Sequence, residues 1–92
     1  MLFVHAGIRP GVALQDQTED DLIWIRQEFH NDTRSHPWLV VHGHTPVTQA
    51  THYGNRVNLD AGAAYGKPLA VAVFEGTSCW QLTEDGRHPL TP

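Results

Sequence analysis

The sequence has little of what several protein classes require. Among 92 residues there is one cysteine, Cys79, so no disulfide can form within the chain. A single thiol is typical of a reducing compartment, and we therefore expect a cytoplasmic location. Lysine and arginine number six against ten acidic residues, which gives a formal net charge of −4. Because nucleic-acid binding requires a clustered basic surface, and no such cluster is present, we expect no nucleic-acid partner.

Long apolar runs are also missing. No stretch reaches the roughly 18 apolar residues that a transmembrane helix needs, so we expect no membrane association. The hydrophobic content of 40% and the three tryptophans nevertheless favour a folded chain over a disordered one. Charged residues make up 17%, below the quarter or so that is typical of soluble domains. This deficit indicates that more surface is covered than a small domain covers by itself.

Apolar runs that end in polar residues and glycine predict buried strands. Leu2–Val4 and Trp38–Val41 are two such runs, and each is followed by histidine and glycine. Thr18 and Asp21 resemble a capping box and predict one main helix of about three turns, ending near residue 30. Residues 51–59 and 69–82 read as two hairpins. The order predicts an α/β fold with a mixed sheet, spanning residues 1–84, with 85–92 as a tail.

Two predicted strands end with histidine beside glycine, at His5-Ala6-Gly7 and at His42-Gly43-His44. Strand ends in α/β sheets are where ligand sites collect, and imidazole is a common metal ligand. Seven histidines in 92 residues can also fall near glycine by chance, so the spacing alone leaves both interpretations open. His42 and His44 could form a pair on one strand face. A mononuclear site built from His5, His42 and His44 is therefore one hypothesis.

Four stretches together resemble a known family. Residues 3–11, 21–26, 40–46 and 58–66 read FVHAGIRPG, DLIWIR, VVHGHTP and NLDAGAAYG, in one order and with sensible gaps. They are similar to the C-terminal half of the calcineurin-like metallophosphoesterases, closest to the bacterial serine/threonine protein phosphatases. The resemblance covers roughly residues 2–75. It implies half of a four-layer α/β/β/α sandwich, in which divalent metal ions (Mn, Fe or Zn) clamp the phosphate oxygens and activate the attacking water.

The resemblance also implies roles for particular residues. His5 and His44 would ligate one of the metal ions. Apart from the resemblance, Arg9 and Arg26 could contact a substrate phosphate, because guanidinium groups match phosphate oxygens, and a solvated arginine is the alternative. His42 would serve packing or would support a ligand. Asp60 would either accept a hydrogen bond from a ligating histidine or cap the turn into Gly62, and the sequence does not separate these.

The motifs of the family's N-terminal half are absent. The chain has no Asp-x-His and no Gly-Asp pair, and Gly54-Asn55 is followed by arginine rather than histidine. No catalytic residue is therefore expected on this chain, and two imidazoles leave at least two metal positions open. We expect part of a phosphoesterase that is inactive alone. Two alternatives are a fragment of a dinucleoside tetraphosphatase-like hydrolase and a non-catalytic domain that forms a homodimer through its uncovered sheet face.

The expected partners follow from the same resemblance, and the other aromatic and histidine residues receive ordinary interpretations. The substrate would be a phosphorylated protein or a small phosphoester. The three tryptophans are expected in the core, and Cys79 is expected to be an inert core thiol. Four histidines in predicted loops or near the terminus are expected to be solvated: His30, His36, His52 and His88.

Overall fold

A computed structural model describes all 92 residues, Met1–Pro92. In chain order the elements are β1 (Leu2–Phe3), α1 (Glu19–Trp24), α2 (Gln27–His30), β2 (Val40–His42), β3 (Thr51–His52), β4 (Arg56–Asn58), β5 (Ala72–Glu75), β6 (Ser78–Thr83) and β7 (Gly86–Pro89). Two short 3₁₀ turns lie at Leu14–Asp16 and Ala63–Tyr65. None of the helices has the length and apolar composition that a membrane crossing requires.

The strands form two sheets. The first has the order β1-β2-β4-β3, with β1, β2 and β4 parallel and β3 antiparallel to β4. The predicted α/β class and mixed sheet are therefore confirmed, while the four-layer half-sandwich stays a prediction. The second sheet is antiparallel, in the order β5-β6-β7. Since β1, β2 and β4 run the same way, their carboxyl ends open at one edge of the first sheet.

The core lies between the first sheet and the two helices. It is formed by Ala6 and Ile8 from the loop after β1, Ile25 and Phe29 from the helical segment, and Val40 from β2. Phe29 and Val40 are fully buried. Fully burying such side chains contributes roughly 1.5–3 kcal/mol each. This packing fixes the loop after β1, which carries His5, against the helical segment.

The predicted single helix is wrong, because two short helices replace it. Thr18 caps α1 as predicted, and its hydroxyl accepts a hydrogen bond from the amide of Asp21 at 3.1 Å. The carbonyl of Leu22, however, accepts a hydrogen bond from the amide of Ala6 at 2.9 Å. In a continuous helix that carbonyl would bind the amide of Arg26. Ile25 instead takes an extended conformation with ψ of 143°, and a separate turn of helix begins at Gln27.

Both hairpins are confirmed, and the tail differs from the prediction. Thr51–His52 pairs with Arg56–Asn58, and Ala72–Glu75 pairs with Ser78–Thr83. The segment that was assigned to a tail, residues 85–92, contains β7, which pairs with β6 along its length. The turn between them uses Gly86 at φ 106°, a conformation that favours glycine. The folded region therefore extends at least to Pro89.

Candidate functional site

The two histidines that the sequence singled out meet at the carboxyl edge of the first sheet. His5 follows β1 and His44 follows β2, and the parallel pairing of these strands brings the two loops together. The amide of Gly43 donates a hydrogen bond to the carbonyl of His5 at 2.8 Å. As a result, His5 Nε2 and His44 Nδ1 lie 3.2 Å apart although 39 positions separate them in sequence. The structure thus brings the predicted pair together.

This distance is compatible with two ligands of one metal ion. Histidine nitrogens bind zinc at roughly 2.0–2.1 Å. Two nitrogens at that distance from one ion, and 3.2 Å from each other, subtend an angle of about 100° at the ion. A tetrahedral centre has about 109°, so only a small movement is needed. The same distance also permits a hydrogen bond between the two rings when one of them carries the shared proton.

The backbone of His44 is held in an unusual conformation. Its φ is 70°, and it is the only residue other than glycine with a positive φ. This conformation costs roughly 1–2 kcal/mol for a residue with a side chain, so neighbouring contacts must maintain it. The buried Asn58 holds the loop, because its Nδ2 donates to the carbonyl of Thr45 at 2.9 Å. With the backbone in this conformation, the Nδ1 atom of His44 faces Nε2 of His5.

The surroundings of His44 favour its neutral form. Burial lowers its pKa, and the neighbouring His5 and Arg26 lower it further, while Asp60 acts in the opposite sense. A neutral imidazole is the form that binds a metal. The Nε2 atom of His44 is buried and has no hydrogen-bond partner. Trp24 stands perpendicular to the same ring, with 5.4 Å between ring centroids.

His42 does not join the pair as a ligand. Its Nε2 accepts a hydrogen bond from Arg56 Nη1 at 3.0 Å, and its Nδ1 lies 3.2 Å from the carbonyl of Gly43. The ring is 3% exposed and stacks on His30 at 5.6 Å. Burial lowers the pKa of His42 to about 4. In this arrangement His42 packs against Arg56 and His30 and is not directed at the pair, and the hypothesis of a site built from three histidines stays a prediction.

No group of three or more histidine, cysteine, aspartate or glutamate side chains is arranged to hold a metal ion. The residues present thus fit a metal only in part, since this chain provides two nitrogens. Asp60 does not complete the set. Its Oδ1 accepts a hydrogen bond from the amide of Gly62 at 3.1 Å, and neither histidine donates to it. Of the two roles left open for Asp60, the structure shows the turn cap.

The two candidate phosphate-binding arginines lie in different surroundings. Arg9 forms a two-point ion pair with Asp21, with Nε–Oδ2 and Nη2–Oδ1 distances of 2.8 and 2.9 Å. The carboxylate of Asp21 raises the pKa of Arg9, and the guanidinium of Arg9 is already engaged in this ion pair. Arg26 is exposed, forms no ion pair, and lies close enough to lower the pKa of both His44 and His30. Arg26 is therefore the better placed of the two for an anion at the pair.

Several features of the site have no counterpart in the sequence predictions. Arg56 is buried without a carboxylate partner, and its guanidinium lies over the ring of Tyr53 at 3.8 Å. Trp24 was expected in the core but is 62% exposed. The expectation of solvated loop histidines is wrong for His30, His36 and His52, which are half-buried with pKa values lowered chiefly by burial. Arginine and histidine seldom occupy core positions, so the pattern of apolar residues in the sequence does not predict their burial.

A cleft of about 370 Å³ opens beside the pair. Val4, Leu59 and Leu69 form much of its apolar wall, and His5 and His44 form part of its polar wall. Clefts of this size, apolar with a few polar groups, are typical of small-ligand sites. The pair is therefore accessible to a ligand from the side of the cleft.

No protein-family model, curated protein or solved structure matches this chain. The resemblance to the calcineurin-like metallophosphoesterases therefore stays a prediction.

Proposed function

We propose that this chain provides part of the metal centre of a metal-dependent phosphoesterase of the calcineurin-like kind. His5 Nε2 and His44 Nδ1 are two ligands of one divalent ion, which is Mn, Fe or Zn. The observation that carries the proposal is their 3.2 Å separation at the carboxyl edge of a parallel strand pair. The four sequence motifs that surround the two histidines support it, because each lies in a segment that borders this edge.

The roles of the chain's own residues follow from the geometry. His5 and His44 hold the ion, and the strained backbone of His44 fixes the direction of its ring. The exposed guanidinium of Arg26, which has no carboxylate partner, binds a phosphate oxygen. The divalent ion supplies Lewis-acid chemistry, which stabilises charge on the phosphate and lowers the pKa of an attacking water.

The site needs ligands from outside these 92 residues. Two imidazoles leave at least two coordination positions open, so the chain alone binds an ion weakly and does not hydrolyse phosphoesters efficiently. The substrate class is a phosphorylated protein or a small phosphoester, with dinucleoside tetraphosphates as the alternative. A reducing cytoplasm suits the single buried thiol of Cys79.

The proposal predicts a segment that carries Asp-x-His and Gly-Asp-x-x-Asp-Arg-Gly motifs. Sequencing the DNA upstream of the codon for residue 1 tests for it. Joined to or expressed with that segment, the chain should hydrolyse an aryl phosphate in the presence of Mn²⁺. The His44→Ala variant should lose this activity, and the His88→Ala variant should keep it. A wild-type assembly that contains these motifs, folds and shows no hydrolysis would contradict the proposal.

Self-association is a second candidate, and a specific surface favours it. Phe3 on the edge strand β1 is 64% exposed, and its ring contacts Phe74 on the edge strand β5 at 5.8 Å. Leu69 and Val71, which precede β5, are also exposed. Two open strand edges with apolar side chains promote pairing between copies. Light scattering should then show a dimer that dissociates in the Phe3→Lys variant, and a wild-type monomer at high concentration would exclude this candidate.

A further inference from the structure

Two unusual features lie next to each other. One is a buried ring nitrogen of His44 that has no hydrogen-bond partner, and the other is the solvent-exposed ring of Trp24. His44 Nε2 is buried and has no hydrogen-bond partner, and such groups are rare because an unsatisfied buried donor or acceptor costs roughly 1–3 kcal/mol. Trp24 leaves 62% of its surface in water at the end of a six-residue helix, which is unusual for the largest apolar side chain. The two rings are nearly perpendicular, at 87°, with centroids 5.4 Å apart.

We propose that Trp24 is a positioning residue for His44, and that its indole face accepts the Nε2–H of that histidine in an N–H···π contact. Perpendicular rings at this distance place the edge of one against the face of the other. An aromatic face is a weak but real hydrogen-bond acceptor. The contact accounts for both anomalies, since it provides a partner for the nitrogen and a reason for the exposed tryptophan.

The position of Trp24 is fixed by the backbone. It is the last residue of α1, and the carbonyl of Leu22 in the same turn accepts the amide of Ala6 at 2.9 Å. Ala6 is the neighbour of His5 in the loop after β1. The hydrogen bond that interrupts the helix therefore also ties the indole to the loop that carries the other histidine. The rings of His5 and His44 and the indole of Trp24 are therefore held by one short network of backbone hydrogen bonds.

The contact decides which nitrogen of His44 carries the proton. With the proton on Nε2, the Nδ1 lone pair is free and points at His5. In many metal sites the other nitrogen of a ligating histidine donates to a carboxylate or a carbonyl, which fixes the ring and the tautomer. Asp60 does not provide that partner, because Nε2 of His44 forms no hydrogen bond with any side chain or backbone group. Trp24 takes this role. The tautomer assignment stands without a metal, whereas its use in ligation rests on the function proposed above.

The test is a nuclear magnetic resonance measurement on the metal-free, full-length chain labelled with ¹⁵N. Near pH 8, above the ordinary pKa of imidazole, long-range ¹H–¹⁵N spectra report which ring nitrogen is protonated. We expect the His44 proton on Nε2, with its resonance displaced upfield because it lies over an aromatic face. The Trp24→Phe variant should keep the displacement, and Trp24→Leu should lose it. Tyr65→Leu, which removes an exposed ring that stacks on neither histidine, should leave it unchanged.

The possible results distinguish the proposed contact between Trp24 and His44 from metal binding by the histidine pair. A proton on Nδ1, or an Nε2 proton without upfield displacement, would overturn the proposal. If Trp24→Leu does not fold, the wild-type and Trp24→Phe spectra decide it. Zinc affinity, measured separately, should fall about tenfold in Trp24→Leu, at the low end of what loss of such a partner costs. An upfield Nε2 proton in a chain whose His5 and His44 rings do not respond even to excess zinc would confirm the contact and count against the proposed metal site alone.

Discussion

Acid should destabilise this protein through His42, and the size of the effect follows from its contacts. Its Nε2 accepts a hydrogen bond from the buried Arg56, so protonation would set two positive groups against each other. Burial lowers the pKa of His42 to about 4, from 6.5 for an unperturbed imidazole. Between these two values the unfolded chain binds a proton at this residue and the folded chain does not. Stability therefore falls as the pH decreases from about 6.5 to about 4.

The magnitude comes from the difference of the two pKa values. One pKa unit corresponds to roughly 1.4 kcal/mol, so the full loss is about 3 kcal/mol, most of which falls between pH 7 and pH 4.5. The partly buried His30, His36, His44 and His52 act in the same direction, because burial lowers their pKa values as well. The contribution of His42 must therefore be isolated by substitution.

The loss of folding stability is measured by urea denaturation at pH 7 and at pH 4.5, with tryptophan fluorescence as the signal. The His42→Gln variant keeps an acceptor for Arg56 but cannot bind a proton, and its loss should be smaller by about 2–3 kcal/mol. His88→Gln, at an exposed position, is the matched control and should behave as the wild type does. Equal losses in wild type and His42→Gln would refute the account of a neutral, buried His42.

Three other substitutions test the packing around the site. Gly7→Ala should destabilise the fold by about 3 kcal/mol or prevent folding, because the added Cβ would overlap the Phe29 ring, and urea denaturation measures this loss. Phe29→Ala should lower the unfolding free energy by about 3–5 kcal/mol, whereas Tyr65→Ala, at an exposed position, should change it by less than about 1 kcal/mol. Asn58→Ala should cost about 1–3 kcal/mol in thermal unfolding, because it leaves the carbonyl of Thr45 without its donor.

The two histidines could be identified as candidates from the sequence because they stand in local patterns, whereas their joint role at one ion rests on the family resemblance. Apolar runs ending in histidine and glycine mark strand ends, and parallel strands place those ends side by side. The hairpins followed from turn residues in the same way. These signals extend over a few positions, so His5 and His44 could be identified without knowledge of the fold.

The rest of the site depends on contacts between distant segments. The helix ends at Trp24 because the Leu22 carbonyl binds Ala6, and no feature within residues 18–30 encodes that bond. Likewise, the buried pair of His42 and Arg56 forms only when β2 and β4 align. Such interactions override local propensity, which is why the single helix and the buried Trp24 were wrong.

Zinc titration followed by the ring ¹⁵N resonances of all seven histidines tests the central claim most directly. The account predicts that His5 Nε2 and His44 Nδ1 shift together, with one ion per chain, and that the remaining histidines do not respond. His5 should at the same time carry its proton on Nδ1, and the response should disappear in His44→Ala. Zinc that leaves both rings unchanged, or binds to other histidines, would contradict a metal centre at this pair.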